Sequence, residues 1–291
     1  MRDYIIMTDS CCDLNAQEVQ ELELTVLPLS FRMDGADYQD TPDHVAMSPQ
    51  EFFHRVANGA ECSTAAVSVG AYMDAMRPVL DAGRDILCIC FSGALSATYQ
   101  SACIAADDLR DEYPGATIEV IDSLSASRGM GMLVWQAARR KKQGASLPEL
   151  AEYVRELIPH QCHWFTVADL HHLKRGGRIS AATAVVGTVL QVKPIMHTDK
   201  EGRLTPRGKA RGMKAALTAL VDQMEVLGTP SLSHQTVFIC HADCPEYVEF
   251  VSKLLHDRFG ITDIRSDYIG PVIGSHTGCG TLGLFFMGTQ R

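Results

Sequence analysis

Short apolar runs alternating with amphipathic stretches constrain this chain more than any other feature. Ile86-Leu87-Cys88-Ile89-Cys90-Phe91 has the length of a buried strand, and the Leu/Tyr/Ala pattern after it predicts a helix over 95–113. Further strands are predicted over 4–8, 22–29 and 117–122, and helices over 69–82, 129–144 and 146–160. Ser48-Pro49-Gln50-Glu51 has capping-box spacing with proline at the first helical position, and Ser146-Leu147-Pro148-Glu149 opens the last of these helices. Such alternation predicts an α/β fold with a mostly parallel sheet covered by helices.

A length of 291 residues suggests two domains. The regular pattern closes near residue 160, giving an N-terminal α/β domain over 1–160 and a C-terminal one over 161–291. The second half is less regular and predicts a mixed sheet, with strands over 163–168, 192–197, 235–241, 261–268 and 281–287 and helices over 181–190, 209–227 and 246–259.

The net charge of −9 argues against nucleic acid as a partner. Ten cysteines are scattered, several inside apolar strands, and no signal peptide is evident, so reduced thiols and a cytoplasmic setting are expected. No apolar stretch reaches the ~20 residues that cross a bilayer. Cys11-Cys12, His171-His172 and Cys240-His241-Ala242-Asp243-Cys244 lack the repeated spacing of a metal centre, and none is expected.

Several constellations carry chemistry. Ser92, where strand turns into helix, suits a nucleophile, an anion-binding hydroxyl or a simple cap; Cys90-Phe91-Ser92-Gly93-Ala94 lacks the G-x-S-x-G spacing of a nucleophile elbow. The segment 270–281, with four glycines and a proline, reads as a loop offering Ser275, His276 and Thr277 to a ligand. Asp9-Ser10 and Asp122-Ser123 follow buried strands, where they shape a site or simply make turns. Leu173-Lys174-Arg175-Gly176-Gly177-Arg178-Ile179-Ser180 joins cations to a Gly-Gly turn, suited to a phosphate, a carboxylate or solvent. Phosphate loops and dinucleotide fingerprints are missing.

In order and spacing, these segments resemble the DegV family, which includes the fatty-acid-binding subunits of bacterial fatty acid kinase. The resemblance rests on Thr8-Asp9-Ser10 with Asp13-Leu14, Thr64 to Ser68 with Gly70, and Phe91-Ser92 with Leu95-Ser96 and Thr98-Tyr99-Gln100-Ser101-Ala102. It continues through Val120-Ile121-Asp122-Ser123, the Gly176-Gly177-Arg178 turn, Lys193-Pro194-Ile195 and the segment from Gly270 to Leu282.

The resemblance implies a long-chain fatty acid held between two α/β domains. Its carboxylate would lie on Thr64, on Ser92 with the Gly93 amide, and on His276; Asp9, Ser10, Ser96, Ser123, Ser275 and Thr277 would shape the site. Arg175 and Arg178 would meet the partner kinase or the phosphate. The sequence departs from the family pattern at Ala65-Ala66-Val67, Gly93 and Cys279, which alters the head-group surroundings.

Function is accordingly expected to be that of a carrier, not an enzyme. It would need no cofactor, would present the carboxylate to an ATP-dependent fatty acid kinase, and would hold the acyl-phosphate for an acyltransferase of phospholipid synthesis, with transient membrane contact. The alternative is a serine hydrolase acting on a lipid ester through Ser92 and His276, and a third reading is a small-ligand sensor.

Overall fold

The computed structural model describes residues 2–180, 191–229 and 231–291; the helix expected over 181–190 lies outside them. The first sheet is parallel, in the order β2-β1-β6-β7, from β1 (Tyr4–Asp9), β2 (Leu24–Leu27), β6 (Asp85–Cys90) and β7 (Ile118–Asp122). Every residue of β1 and β6 is buried, as befits central strands covered on both faces. Each fully buried Ile or Leu there contributes about 1.5–3 kcal/mol, so the apolar run alone pins the sheet's centre. Helices α1 (Ala16–Glu21), α2 (Pro49–Ala57), α3 (Val69–Asp81), α4 (Thr98–Glu112), α5 (Ser127–Lys142) and α6 (Leu147–Leu157) intervene.

A second, mixed sheet follows, in the order β10-β9-β8-β13-β11-β12. Its strands are β8 (Gln161–Thr166), β9 (Val192–Thr198), β10 (Leu204–Arg211), β11 (Val237–His241), β12 (Ile264–Tyr268) and β13 (Leu282–Met287). With it come α7 (His171–Arg175), α8 (Met213–Leu227), α9 (Pro245–Phe259) and α10 (Pro271–Thr277). The expected α/β class therefore holds, with a parallel sheet first and a mixed sheet second. Phe238, Cys240 and Phe285 of the second sheet pack into the same apolar core as Ile6, Leu87 and Met130. Among the described residues no helix is long and apolar enough to cross a membrane.

Four local expectations are corrected. A third sheet, antiparallel and ordered β4-β3-β5, comes from β3 (Ser30–Met33), β4 (Ala36–Gln39) and β5 (Cys62–Ala65), strands too short to show in the sequence. The helix expected to follow Ser92 directly begins at Thr98; the residues before it form a turn in which the Leu95 and Ser96 amides donate to Ser92 O and Ser96 Oγ accepts from Thr98 N. Residues 209–211, expected to be helical, pair with β9, and Gly212 at φ 84° separates them from α8. The segment 270–281, expected to be a loop, carries α10, with Pro271 at its first position.

Candidate functional site

A cavity of about 230 Å³ lies where the three sheets converge. Its walls are mostly apolar: Leu29, Phe91 and Leu95 on one side, Phe165, Leu173, Leu204 and Phe285 on another, and Ile269, Val272 and Ile273 around α10. One polar end lies where Thr64 of β5 meets His276 in the last turn of α10, and Ser96, Ser127, His163, Arg178, Thr277 and Thr281 are also in the lining.

Thr64 Oγ1 and His276 Nε2 are 2.9 Å apart. Burial, and then the nearby Arg178 guanidinium, push the imidazole pKa down to about 4, so the ring is neutral at ordinary pH. Its Nδ1 is buried without a hydrogen-bond partner among the described residues and lies against Gly176, where any Cβ would collide with it. Arg178 is half-buried; its Nε donates to Leu95 O at 3.1 Å and its Nη1 to Gly176 O. None of the ion pairs among the described residues includes Arg178, and burial lowers its pKa, the signature of a cation held partly out of water.

The expected site residues separate into distinct places. Thr64, Ser96, Arg178, His276 and Thr277 come together on the cavity; Thr277 Oγ1 also donates to Ile273 O. Ser92 and Gly93, expected on the ligand, are not in the lining, and their polar atoms are engaged elsewhere. Fully buried Ser92 Oγ donates to Gly202 O at 3.0 Å, in the turn between β9 and β10, and Gly93 N donates to the Asp122 carboxylate. Ser275 Oγ turns back to Pro271 O, and Ser123 Oγ to Ser125 O. Arg175 is exposed and its Nη2 meets His172 Nδ1.

Asp9 and Ser10 sit behind the lining. Asp9 Oδ2 accepts from Phe91 N at 2.7 Å and Ser10 Oγ from Leu29 N at 3.1 Å, so each fixes the backbone of a residue whose side chain forms the wall. Burial pushes the Asp9 carboxyl up to about 7 despite these amide donors. Two carboxylates outside the expected site residues support it from further back: Asp13 accepts from Gly270 N and Asp40 from Val272 N, holding the start of α10, the helix that carries His276. Asp13 stood in plain sight at a turn, but nothing in its own segment pointed to residue 270.

A model of the DegV family, described as an uncharacterised protein family, matches residues 4–289. A DegV domain-containing protein of Clostridium perfringens is 39% identical over 292 residues, covering 100% of this chain and 99% of that protein. A DegV domain-containing protein of Lactococcus lactis is 34% identical over 283 residues, covering 97% and 96%. Among solved structures, a fatty-acid-binding DegV family protein from Thermus thermophilus is 31% identical, covers 99% of this chain and 100% of that one, and has a TM-score of 0.86. A stearic-acid-binding protein from Eubacterium ventriosum is 26% identical, covers 98% of each chain and has a TM-score of 0.85.

Proposed function

The chain belongs to the DegV family, and we propose that it is a non-enzymatic carrier that binds a long-chain fatty acid in the cavity and presents the carboxylate to a separate ATP-dependent kinase. The observation that carries this reading is a mostly apolar cavity with a polar end formed by Thr64, His276 and the half-buried Arg178. Each buried methylene contributes about 0.8 kcal/mol, so the tail supplies affinity. The head group needs partners: with His276 Nε2–H donating to Thr64 Oγ1, the threonine hydroxyl is free to donate to the carboxylate, and Arg178 supplies the countercharge. The fatty-acid-binding neighbours from Thermus thermophilus and Eubacterium ventriosum support the same ligand class.

Delivery to a kinase, and of the acyl-phosphate to an acyltransferase of phospholipid synthesis, belongs to the same proposal. Lys174 and Arg175 precede Arg178 in the chain, and they and Arg203, Arg207, Lys209 and Arg211 take part in none of the ion pairs among the described residues, which suits a phosphate-bearing or acidic partner in a cytoplasmic reaction. Two domains, 1–160 and 161–291, with the ligand between them, complete the picture. Mass spectrometry of lipid extracted from purified protein tests it: a long-chain fatty acid at near-equimolar yield is expected, and a protein that neither retains nor takes up any fatty acid overturns it.

The hydrolase alternative draws no support from the geometry. Ser92 Oγ donates to a backbone carbonyl, His276 pairs with Thr64 instead, and the unpartnered Nδ1 of His276 lacks the acidic group that orients a triad histidine. Covalent labelling at Ser92 by a fluorophosphonate probe would reverse that judgement.

A further inference from the structure

Strand pairing sets out the cavity wall in rows. Phe165, Gly283 and Cys240 lie side by side on β8, β13 and β11, and His163 lies beside Phe285 in the next row; all five line the cavity. Thr281, also in the lining, donates from Oγ1 to the carbonyl of Thr277, the residue after His276. Thr281 and Phe285 are four residues apart, about 13 Å along an extended strand. His163 therefore stands far along the sheet from the polar end, beside the stretch the acyl chain would fill.

His163 is only 5% exposed and packs edge-on against Phe285 with ring centroids 4.7 Å apart. Burial, then the charges of Arg291 and His197, push its pKa well down, so the ring is neutral. Nδ1 lies 3.2 Å from Ser125 Oγ, while Nε2 has no partner among the described residues. On the same strand, Gln161 is fully buried and its Oε1 also lacks a partner. A plain hydrocarbon tail would leave the imidazole's second nitrogen unsatisfied, which costs stability. If Ser125 donates, Nε2 carries the proton; if Ser125 accepts, Nε2 is an acceptor. A hydroxyl, both donor and acceptor, satisfies either state.

We propose that this end of the cavity is a subsite for a hydroxyl on the acyl chain, with His163 Nε2 as its partner and Ser125 orienting the ring. The ligand class it selects is a hydroxylated long-chain fatty acid. This rests on the fatty-acid reading above and narrows it.

The test is calorimetric titration of delipidated full-length protein with octadecanoic acid and with hydroxyoctadecanoic acids whose hydroxyl is moved along the chain. At one hydroxyl position, affinity relative to octadecanoic acid is expected to be about tenfold higher in the wild type than in His163→Leu. The same ratio in both proteins at every position overturns the subsite and leaves fatty-acid binding standing; no binding of any acid by the wild type overturns both. Nitrogen NMR of the wild-type imidazole gives a second reading that needs no folded variant. The best-bound hydroxy acid is expected to shift the His163 Nε2 resonance beyond its position with octadecanoic acid, and equal positions overturn the proposal.

Discussion

His276 Nε2 meets Thr64 Oγ1 at 2.9 Å across 212 residues of sequence, joining a helix that packs on α2, α7 and the small antiparallel sheet to an edge strand of that sheet. Replacing Thr64 by valine keeps the shape and removes the hydroxyl, leaving both His276 nitrogens unpaired. Fatty-acid affinity should fall about tenfold, the equivalent of one buried hydrogen bond. Titration of the delipidated variant measures it, and unchanged affinity would place the carboxylate elsewhere.

Ser92→Ala separates an anchor from a ligand contact. Its hydroxyl holds the Gly202 carbonyl, so the variant should lose about 1 kcal/mol of stability in urea unfolding, with a smaller loss of affinity than Thr64→Val shows. The reverse ranking would return Ser92 to the head group, where the family resemblance put it.

Gly176 has an ordinary helical φ of −72°, so alanine is acceptable to the backbone, yet its Cβ would occupy the place of His276 Nδ1. Gly176→Ala should therefore displace the imidazole, costing about 1–3 kcal/mol as overpacking and weakening fatty-acid retention with it. Thermal melting and lipid mass spectrometry read the two effects; retention at the wild-type level would separate the histidine from the ligand.

Arg178 belongs to the cavity wall, whereas Arg175 is exposed. Arg178→Ala should weaken retention about tenfold through loss of a charge-assisted contact. Arg175→Ala should retain fatty acid, and on the proposed carrier role its bound fatty acid should be phosphorylated more slowly by the partner kinase, measured as acyl-phosphate formed per minute. Equal behaviour of the two variants would dissolve the distinction between wall and docking face.

Asp9 gives stability a pH dependence. Burial raises its carboxyl from 3.8 to about 7, so between about pH 4 and pH 7 the folded chain keeps a proton that the unfolded chain has released, and stability falls as pH rises. His276 acts the other way: with its pKa depressed to about 4, the folded chain lacks a proton that the unfolded chain binds below about 6.5, so stability is lost on acidification. Asp9→Asn removes only the first effect. Its stability relative to the wild type should rise by roughly 1 kcal/mol per pH unit between about pH 5 and pH 7, then stay level. Urea unfolding at several pH values checks this, and a constant difference would mean that Asp9 does not titrate in that window.

Central strands were legible because they are buried on both faces, so β1 and β6 read as unbroken apolar runs. The antiparallel sheet carrying Thr64 was not: each of its strands is four residues long, and β5 pairs with β3 from about 30 residues away, so no local pattern marks it. Residues 270–281 misled because their glycines suggested a flexible loop. Gly274 instead serves packing, since a Cβ there would strike Phe52 and Phe53 of α2. Thr64 was found through motif resemblance alone and His276 through its glycine-rich segment as well, whereas the engagement of Ser92 with Gly202 depends on a turn about 110 residues away that no spacing rule reaches.

The distance in sequence between Thr64 and His276 also sets an order of events during synthesis. The strand bearing Thr64 leaves the ribosome long before the helix that completes the polar end, because domains emerge N-terminal part first. Until residue 276 has been made and α10 has docked on Asp13 and Asp40, the proposed head-group site has Thr64 and Arg178 but lacks His276, so a nascent chain lacks the full set of groups the proposed carrier needs. On the proposed carrier role loading waits for that helix, and ligand added to a translation reaction should protect only full-length product from protease.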